Sequence, residues 1–147
     1  MTNLQIRLAS TTDIQFMYEV LGSLRGEVNI SFERFKKYMK NKLELENVKF
    51  LLLHSDNINL GLITLNKFEI PRYVGYGYEM EEVAIAESHK GKGYAGKFVE
   101  MVIVECAKEP NCRKVIVKTD GAVAKKLYSK QLEKIETTVF QKYLNKV

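Results

Sequence analysis

The sequence has little cysteine and little histidine. It contains 2 of each among its 147 residues. So few of these side chains predict neither a disulfide framework nor a zinc site, and we expect no bound metal. Residues 1–7 contain no apolar core of signal-peptide length, and no later run is long enough to cross a bilayer. These absences favour a reduced, cytoplasmic protein with no membrane partner.

Arginine is also scarce, although the formal net charge is +5. Lysine supplies most of the positive charge, and the chain has neither a basic stripe interleaved with aromatic residues nor a recognition-helix pattern. We therefore expect no nucleic-acid partner. A solvated lysine-rich surface explains most of this charge, except where lysines alternate with glycines.

Hydrophobic periodicity predicts a mixed α/β fold. No linker, repeat or low-complexity segment divides the chain, so its length predicts a single domain over residues 1–147. The predicted element order is β-α-α-β-β-β-α-β-α-β, with a strand-helix-strand crossover in its second half. The predicted elements are strands at 5–8, 48–54, 60–65, 78–86, 114–118 and 135–144, with helices after the caps Asp13 and Ser31, around 95–106 and at 122–131.

A glycine-rich basic segment follows the strand predicted at 78–86. Residues 90–97 read Lys-Gly-Lys-Gly-Tyr-Ala-Gly-Lys. Glycines allow several backbone N–H groups to turn toward one anion, and the following helix adds its unpaired first-turn donors and positive dipole end. The spacing fits neither G-x-x-x-x-G-K-[ST] nor G-x-G-x-x-G. The segment therefore predicts a phosphate cradle that belongs to neither common nucleotide motif.

Residues 83–97 resemble the acetyl-coenzyme A (acetyl-CoA) signature of the GCN5-related N-acetyltransferase (GNAT) superfamily. The core of that signature is Gln/Arg-x-x-Gly-x-Gly/Ala, and here it reads Lys90-x-x-Gly93-x-Ala95. A later family motif is matched by Leu127-Tyr128, although Gly121 replaces the asparagine common at its start. Within the superfamily, residues 80–85 and 112–117 resemble small amino-sugar acetyltransferases of the glucosamine-6-phosphate N-acetyltransferase type.

The resemblance implies the GNAT fold, a mixed and mostly antiparallel central sheet flanked by helices. It also implies acetyl-CoA as cosubstrate, with strand backbone groups along its pantetheine arm and loop N–H groups on its pyrophosphate. The cofactor-binding residues that it implies are Val83, Ala84, Ile85, Lys90, Gly91, Lys92, Gly93, Tyr94, Ala95, Gly96 and Lys97.

Acetyl transfer requires a neutral amine, a donor for the oxyanion and a proton for the leaving thiolate. Tyr128 matches the family's tyrosine and is the predicted proton donor, because a phenol keeps its proton at neutral pH. The alternative is a helix tyrosine that only packs against the sheet.

Three glutamates, Glu79, Glu81 and Glu82, are candidates for the base or for holding the ammonium group before it loses its proton. Strand alternation places Glu79 and Glu81 on the face of Val83 and Ile85, with Glu82 on the other face, unless a bulge shifts the register. The resemblance implies a base at Glu79, where many family members carry a glutamate, and substrate-side acidic residues at Glu81 and Glu82. We rank Glu79 and Glu81 together, ahead of Glu82. A solvated or salt-bridged strand end is the alternative for each.

Tyr78 and Asp120 are weaker candidates for acceptor contacts, since tyrosine also favours strands and Asp-Gly also makes turns.

The predicted function is transfer of an acetyl group to the primary amine of a small molecule by direct attack in a ternary complex. An amino sugar or sugar nucleotide is the first candidate for that small molecule. Two alternatives stay open: a polyamine, antibiotic or protein amine as acceptor, and a non-catalytic acyl-CoA sensor. Because many relatives pair through their last strands, the apolar residues Val139 and Phe140 imply a homodimer.

Overall fold

The computed structural model describes residues 3–118, 122–130, 132–133, 135 and 139–144. Its strands and helices alternate as a mixed α/β chain, with short 3-10 turns between them. The strands are β1 (Leu4–Leu8), β2 (Val48–Ser55), β3 (Ile58–Ile70), β4 (Gly75–Ile85) and β5 (Cys112–Val117). The helices are α1 (Ile14–Val20), α2 (Gly22–Arg25), α3 (Phe32–Lys42), α4 (Tyr94–Ala107) and α5 (Ala122–Tyr128).

The strands form one sheet in the order β1-β2-β3-β4-β5. The pairs from β1 to β4 are antiparallel, and only β4 and β5 are parallel. A parallel pair needs a crossover connection, which α4 supplies. The predicted mixed, mostly antiparallel α/β fold is therefore confirmed.

Both faces of the sheet are covered by apolar helix surfaces. Alternation along β2 sends Leu51 and Leu53 to one side and Leu52 to the other. On the first side, α4 packs Phe98 and Val102, which are 0% exposed, against the sheet. On the second side, α1 and α3 pack through a cluster that includes Met17 and Met39. We call these the α4 face and the α3 face.

The structure corrects the prediction of a strand at 135–144. Residues 135 and 139–144 lie in no strand, and Phe140 is 91% exposed, so the described part of the predicted last strand joins no sheet. Gly75 and Gly77 lie at the start of β4 rather than in the turn before it. At Gly77, a Cβ would lie 2.6 Å from the Phe68 ring and 2.9 Å from the Lys114 carbonyl oxygen, so close packing rather than a turn explains this glycine.

The first strand is joined to α1 by a nearly buried carboxylate. Asp13 Oδ2 accepts from Arg7 Nη1 at 2.7 Å and from the Ser10 N–H at 2.8 Å, while Asp13 Oδ1 accepts from Arg7 Nη2 at 2.8 Å. The hydrogen bonds from Arg7 lower the pKa of Asp13 to about 2. Because the pKa is lowered on folding, the carboxylate stabilises the fold above its unfolded pKa, and this stabilisation is lost as the pH falls toward 2.

We expect Asp13→Asn to lower the free energy of unfolding at pH 7 by about 1 to 3 kcal/mol, because charged hydrogen bonds are replaced by weaker ones. Urea unfolding at pH 7 and at pH 3 tests this, and the difference from the unmodified chain should shrink at pH 3. Asp56→Asn, at an exposed turn position, is the matched control. An equal loss at both pH values would contradict the role of the ionised carboxylate.

Candidate functional site

The glycine-lysine segment forms an open loop between β4 and α4. Gly91 and Gly93 have φ values of +77° and +81°, and a Cβ at either would meet nothing within 4 Å. This left-handed backbone is the reason for glycine at both positions. Gly93 is the N-cap of α4 and offers no side chain to the first turn, so the helix's first N–H groups face the loop. Such a terminus suits an anion.

Three lysines surround this loop, and all three are exposed. Lys90 Nζ lies 2.8 Å from Glu87 Oε2, and Lys97 Nζ lies 3.8 Å from Glu100 Oε2. Lys92 forms no ion pair among the described residues. These ion pairs are on the surface, where their strength is small, so an arriving polyphosphate can compete for the lysines.

The strands β4 and β5 part before β4 ends. Their last paired residues are Met80 and Val117, whereas β4 continues to Ile85 and stays paired with β3 through that residue. Residues 81–85 therefore have a neighbouring strand on only one side within the described chain. Backbone groups on the β5 side of this segment can pair with an extended ligand. This half-paired segment leads directly into the glycine-lysine loop.

A β-bulge at Glu81 determines where the three glutamates lie. Thr64 pairs with Glu82 and Leu65 with Met80, which leaves Glu81 as the extra residue. The bulge shifts alternation by one, so Tyr78 and Met80 share the α4 face with Val83 and Ile85. The prediction that Glu79 shares a face with Val83 and Ile85 is therefore wrong. The uninterrupted alternation on which it depended stops at the bulge.

Each glutamate has a different environment. Glu82 lies on the α3 face, where its Oε1 accepts from Thr64 Oγ1 at 2.9 Å, and Thr64 is 6% exposed. Glu81 is exposed, and Glu79 Oε1 is 3.2 Å from Lys118 Nζ. Of the three, Glu82 is therefore the carboxylate held in place by a buried neutral hydroxyl.

A cleft of about 780 Å³ opens on the α3 face, between the helices α1 to α3 and the sheet. Glu81 and Glu82 line its sheet side together with Thr64 and Asn66. Its helix side is mostly apolar but includes three cationic residues, Arg25, Arg34 and Lys42. The volume lies in the ordinary range for small-molecule sites. Sequence periodicity did not mark these three residues as functional, because a lysine or arginine on a helix surface is usually only solvated.

Tyr128, at the end of α5, is half-buried against the α4 face of the core. Burial raises the pKa of its phenol above the ordinary value of 10.0, so the hydroxyl stays protonated at neutral pH. α5 lies close to the start of α4, because a Cβ on Gly96 would come 3.0 Å from Leu127 Cδ1. Tyr128 is thus placed near the helix that follows the glycine-lysine loop.

Tyr78, one of the predicted acceptor contacts, lies in the core. This side chain is 1% exposed on the α4 face, away from the cleft, and its hydroxyl donates to Glu109 Oε1 at 3.0 Å. The Tyr76 hydroxyl donates to the same oxygen at 2.9 Å, and Lys49 Nζ lies 3.4 Å from it. This network joins β2 and β4 to the end of α4. Asp120, the other residue predicted to contact the acceptor, lies outside the described residues.

No helix in the described part of the chain is both long and apolar enough to span a bilayer. Among the same residues, no group of three or more histidine, cysteine, aspartate or glutamate side chains could hold a metal ion.

The loop, the half-paired strand and the cleft occur in a chain whose residues 15–133 match the model of the acetyltransferase (GNAT) family. The chain belongs to this family, and it is an N-acetyltransferase by family and fold. Enzymes of the family use acetyl-CoA. Among curated protein sequences, none matches this chain.

Solved structures share the fold at low sequence identity. A possible acetyltransferase from Clostridium difficile 630 is 15% identical with a TM-score of 0.84, covering 97% of this chain and 99% of that one. Glucosamine-6-phosphate N-acetyltransferase from Arabidopsis thaliana is 20% identical with a TM-score of 0.76, at 97% and 99% coverage. An aminoglycoside acetyltransferase from an uncultured soil metagenomic sample, in complex with sisomicin, is 14% identical with a TM-score of 0.76, at 97% coverage of both chains.

Proposed function

We propose that this chain, as one domain spanning residues 1–147, transfers an acetyl group from acetyl-CoA to the primary amine of a small molecule. The observation that carries the proposal is a juxtaposition along β4. The half-paired residues 81–85 lead into the glycine-lysine loop at one end, and Glu82, within the same segment, lines the cleft. One strand thus borders both a donor site and an acceptor site.

The donor site is assigned to the backbone. N–H groups of the loop and of the first turn of α4 bind the pyrophosphate, with Lys90, Lys92 and Lys97 around it. The β5 side of Val83, Ala84 and Ile85 pairs with the pantetheine arm as an added strand would. Together with Gly91, Gly93, Tyr94, Ala95 and Gly96 in the loop and first turn, these residues form the proposed cofactor-binding set.

The chemistry is a direct attack in a ternary complex. The amine nitrogen forms a bond to the thioester carbonyl carbon, and the carbon–sulfur bond breaks. Glu82 takes the proton that the amine loses, directly or through a water molecule, and Tyr128 gives its proton to the coenzyme A thiolate. Glu81 and Glu79 are assigned secondary roles, because one is exposed on the bulge and the other is paired with Lys118.

We favour an amino sugar or sugar nucleotide as the acceptor. Support comes from the small-molecule dimensions of the cleft and from the fold shared with a glucosamine-6-phosphate N-acetyltransferase. The fold shared with an aminoglycoside acetyltransferase keeps antibiotics among the acceptors to test.

A thiol-release assay with acetyl-CoA across a panel of amines tests the activity. The panel contains glucosamine, glucosamine 6-phosphate, spermidine, an aminoglycoside and a peptide amine, with coenzyme A binding measured in parallel by calorimetry. We expect amine-dependent thiol release with an amino sugar. Coenzyme A binding without turnover of any amine would contradict the proposal and favour a non-catalytic sensor.

The Gly93 backbone is central to donor binding. We expect Gly93→Ala to weaken coenzyme A binding by about tenfold, because a side chain at positive φ costs roughly 1–2 kcal/mol and relief of this strain moves the N–H groups of the cradle. Calorimetric titration with coenzyme A measures this. Gly26→Ala is the matched control, because Gly26 also has a positive φ of +59° with nothing within 4 Å of its Cβ position. Equal losses in both variants would contradict the cradle.

We further propose a cytoplasmic homodimer that binds neither nucleic acid nor membranes. Cys106 and Cys112 are free thiols, as a reducing compartment would keep them.

The exposed apolar side chains of Val139 and Phe140 support self-association into the proposed homodimer. Sedimentation equilibrium should therefore give twice the chain mass of 17.0 kDa, whereas a single chain mass at micromolar concentration would contradict the dimer.

A further inference from the structure

The walls of the cleft carry opposite charges. Its sheet wall presents Glu81 and Glu82, while its helix wall presents Arg25, Arg34 and Lys42. We call these three residues the cationic wall. The proposed reaction uses a carboxylate of the sheet wall but gives the cationic wall no role.

No direct ion pair neutralises the cationic wall within the described part of the chain. Its members form no ion pair there, unlike Arg7, Lys49 and Lys118, which pair with Asp13, Glu109 and Glu79. Positive side chains gathered in a cleft repel each other and raise the local potential. An anion bound between them would remove that repulsion, so the arrangement favours an anionic group.

Two members of the cationic wall are held by aromatic rings instead. The Arg25 guanidinium carbon lies 4.0 Å from the centroid of the Tyr18 ring, and Lys42 Nζ lies 5.2 Å from that of Tyr38. The Tyr18 hydroxyl donates to the Ile30 carbonyl oxygen at 2.6 Å, which fixes the ring beside the loop between α2 and α3. These contacts position the cations without neutralising them. A ligand anion therefore meets partly ordered partners.

Arg34, Tyr38 and Lys42 are spaced four residues apart along α3, and all three line the cleft. This spacing places them on one helix face, and the stripe extends for about 12 Å at the rise of an α-helix. The cleft therefore has this stripe on its helix side and the carboxylates Glu81 and Glu82 on its sheet side.

We propose that the acceptor is a primary amine that also carries an anionic group, a phosphate or a carboxylate. The amine lies at Glu82, and the anion lies against the cationic wall. This inference rests on the proposed function, because it specifies the substrate of that same site. A polyamine or polycationic antibiotic fits poorly, since its additional positive charges would face three unneutralised cations.

Matched ligand pairs test the proposal by calorimetry, with the protein saturated with coenzyme A. Glucosamine and glucosamine 6-phosphate differ only in the phosphate, and an amino acid and its amide differ only in the carboxylate. We expect the anionic member of at least one pair to bind about tenfold or more tightly, because charge-assisted hydrogen bonds form only with that member. The pair that shows the preference identifies the anion. No preference in either pair, or tightest binding of spermidine, would overturn the proposal.

Substitutions assign the preference to the cationic wall. In the double variant Arg34→Gln with Lys42→Gln, the affinity ratio of anionic to neutral member should fall at least about tenfold. Lys37→Gln with Lys40→Gln removes the same charge from exposed positions of α3 outside the cleft, and its ratio should be unchanged. Equal falls in both variants would show a general charge effect and contradict the site. Failure of acetyl transfer with the preference intact would instead contradict only the proposed function.

Discussion

Tyr128→Phe is expected to lower kcat by about 100-fold or more while coenzyme A binds as before. Removing a general acid typically costs a factor of about 100 to 10,000 in rate, and the substitution deletes only the hydroxyl. The half-buried ring still packs against the core, so the fold and the donor site should be retained. Steady-state thiol release gives kcat, and calorimetry gives the affinity for coenzyme A.

Tyr73→Phe is the control for this substitution, because Tyr73 is 56% exposed on the turn before β4. It should leave kcat unchanged. Burial raises the pKa of Tyr128, so loss of rate through its deprotonation should come at a higher pH than for an ordinary tyrosine. An unchanged kcat in Tyr128→Phe would show that Tyr128 only packs against the sheet.

Glu82→Gln is expected to lower kcat/KM by about 100-fold or more, because the amide keeps the shape of the side chain but accepts no proton. The loss should be smaller at high pH, where more of the amine is already neutral. A pH series of kcat/KM therefore distinguishes loss of a base from general damage to the site.

Glu81→Gln is the matched control, since Glu81 is adjacent on the bulge and lines the same cleft. We expect a much smaller effect from it, because no described side chain holds the exposed Glu81 carboxylate in place. Thr64→Val removes the hydroxyl that donates to Glu82 and should give an intermediate loss. A larger effect from Glu81→Gln than from Glu82→Gln would reverse the assignment of the base.

The elements of the fold could be read from the sequence where local signals were strong. Ser31 begins α3 as its spacing predicted, and its Oγ accepts from the Arg34 N–H at 3.2 Å. The glycine-lysine loop was also readable, because the positive φ values of Gly91 and Gly93 are a local requirement.

The bulge at Glu81 could not be located in this way. It depends on which β3 residues pair with β4, and a non-local register leaves no periodic signal in either strand. One extra residue reversed the expected face of Glu79. The same limit applies to Tyr78, whose hydroxyl donates to Glu109, a residue that follows the far end of α4.

The cationic wall was hidden for a different reason. On α3, Arg34 and Lys42 alternate with lysines that face solvent. Only the position of the sheet, opposite Arg34 and Lys42, distinguishes these two residues from the solvent-facing lysines. The proposed donor site was visible in the sequence through its glycines, whereas the proposed acceptor site consists of side chains from several distant segments. This difference explains why the donor was easier to predict than the acceptor.

We propose that one strand, β4, brings an acetyl donor and an amine acceptor together for direct transfer. Initial rates of thiol release, measured while acetyl-CoA and glucosamine 6-phosphate are varied against each other, test this arrangement. Direct transfer should give intersecting double-reciprocal lines and an acetylated amine as product. Parallel lines, the mark of an acetylated enzyme intermediate, or no amine-dependent release at all would contradict it.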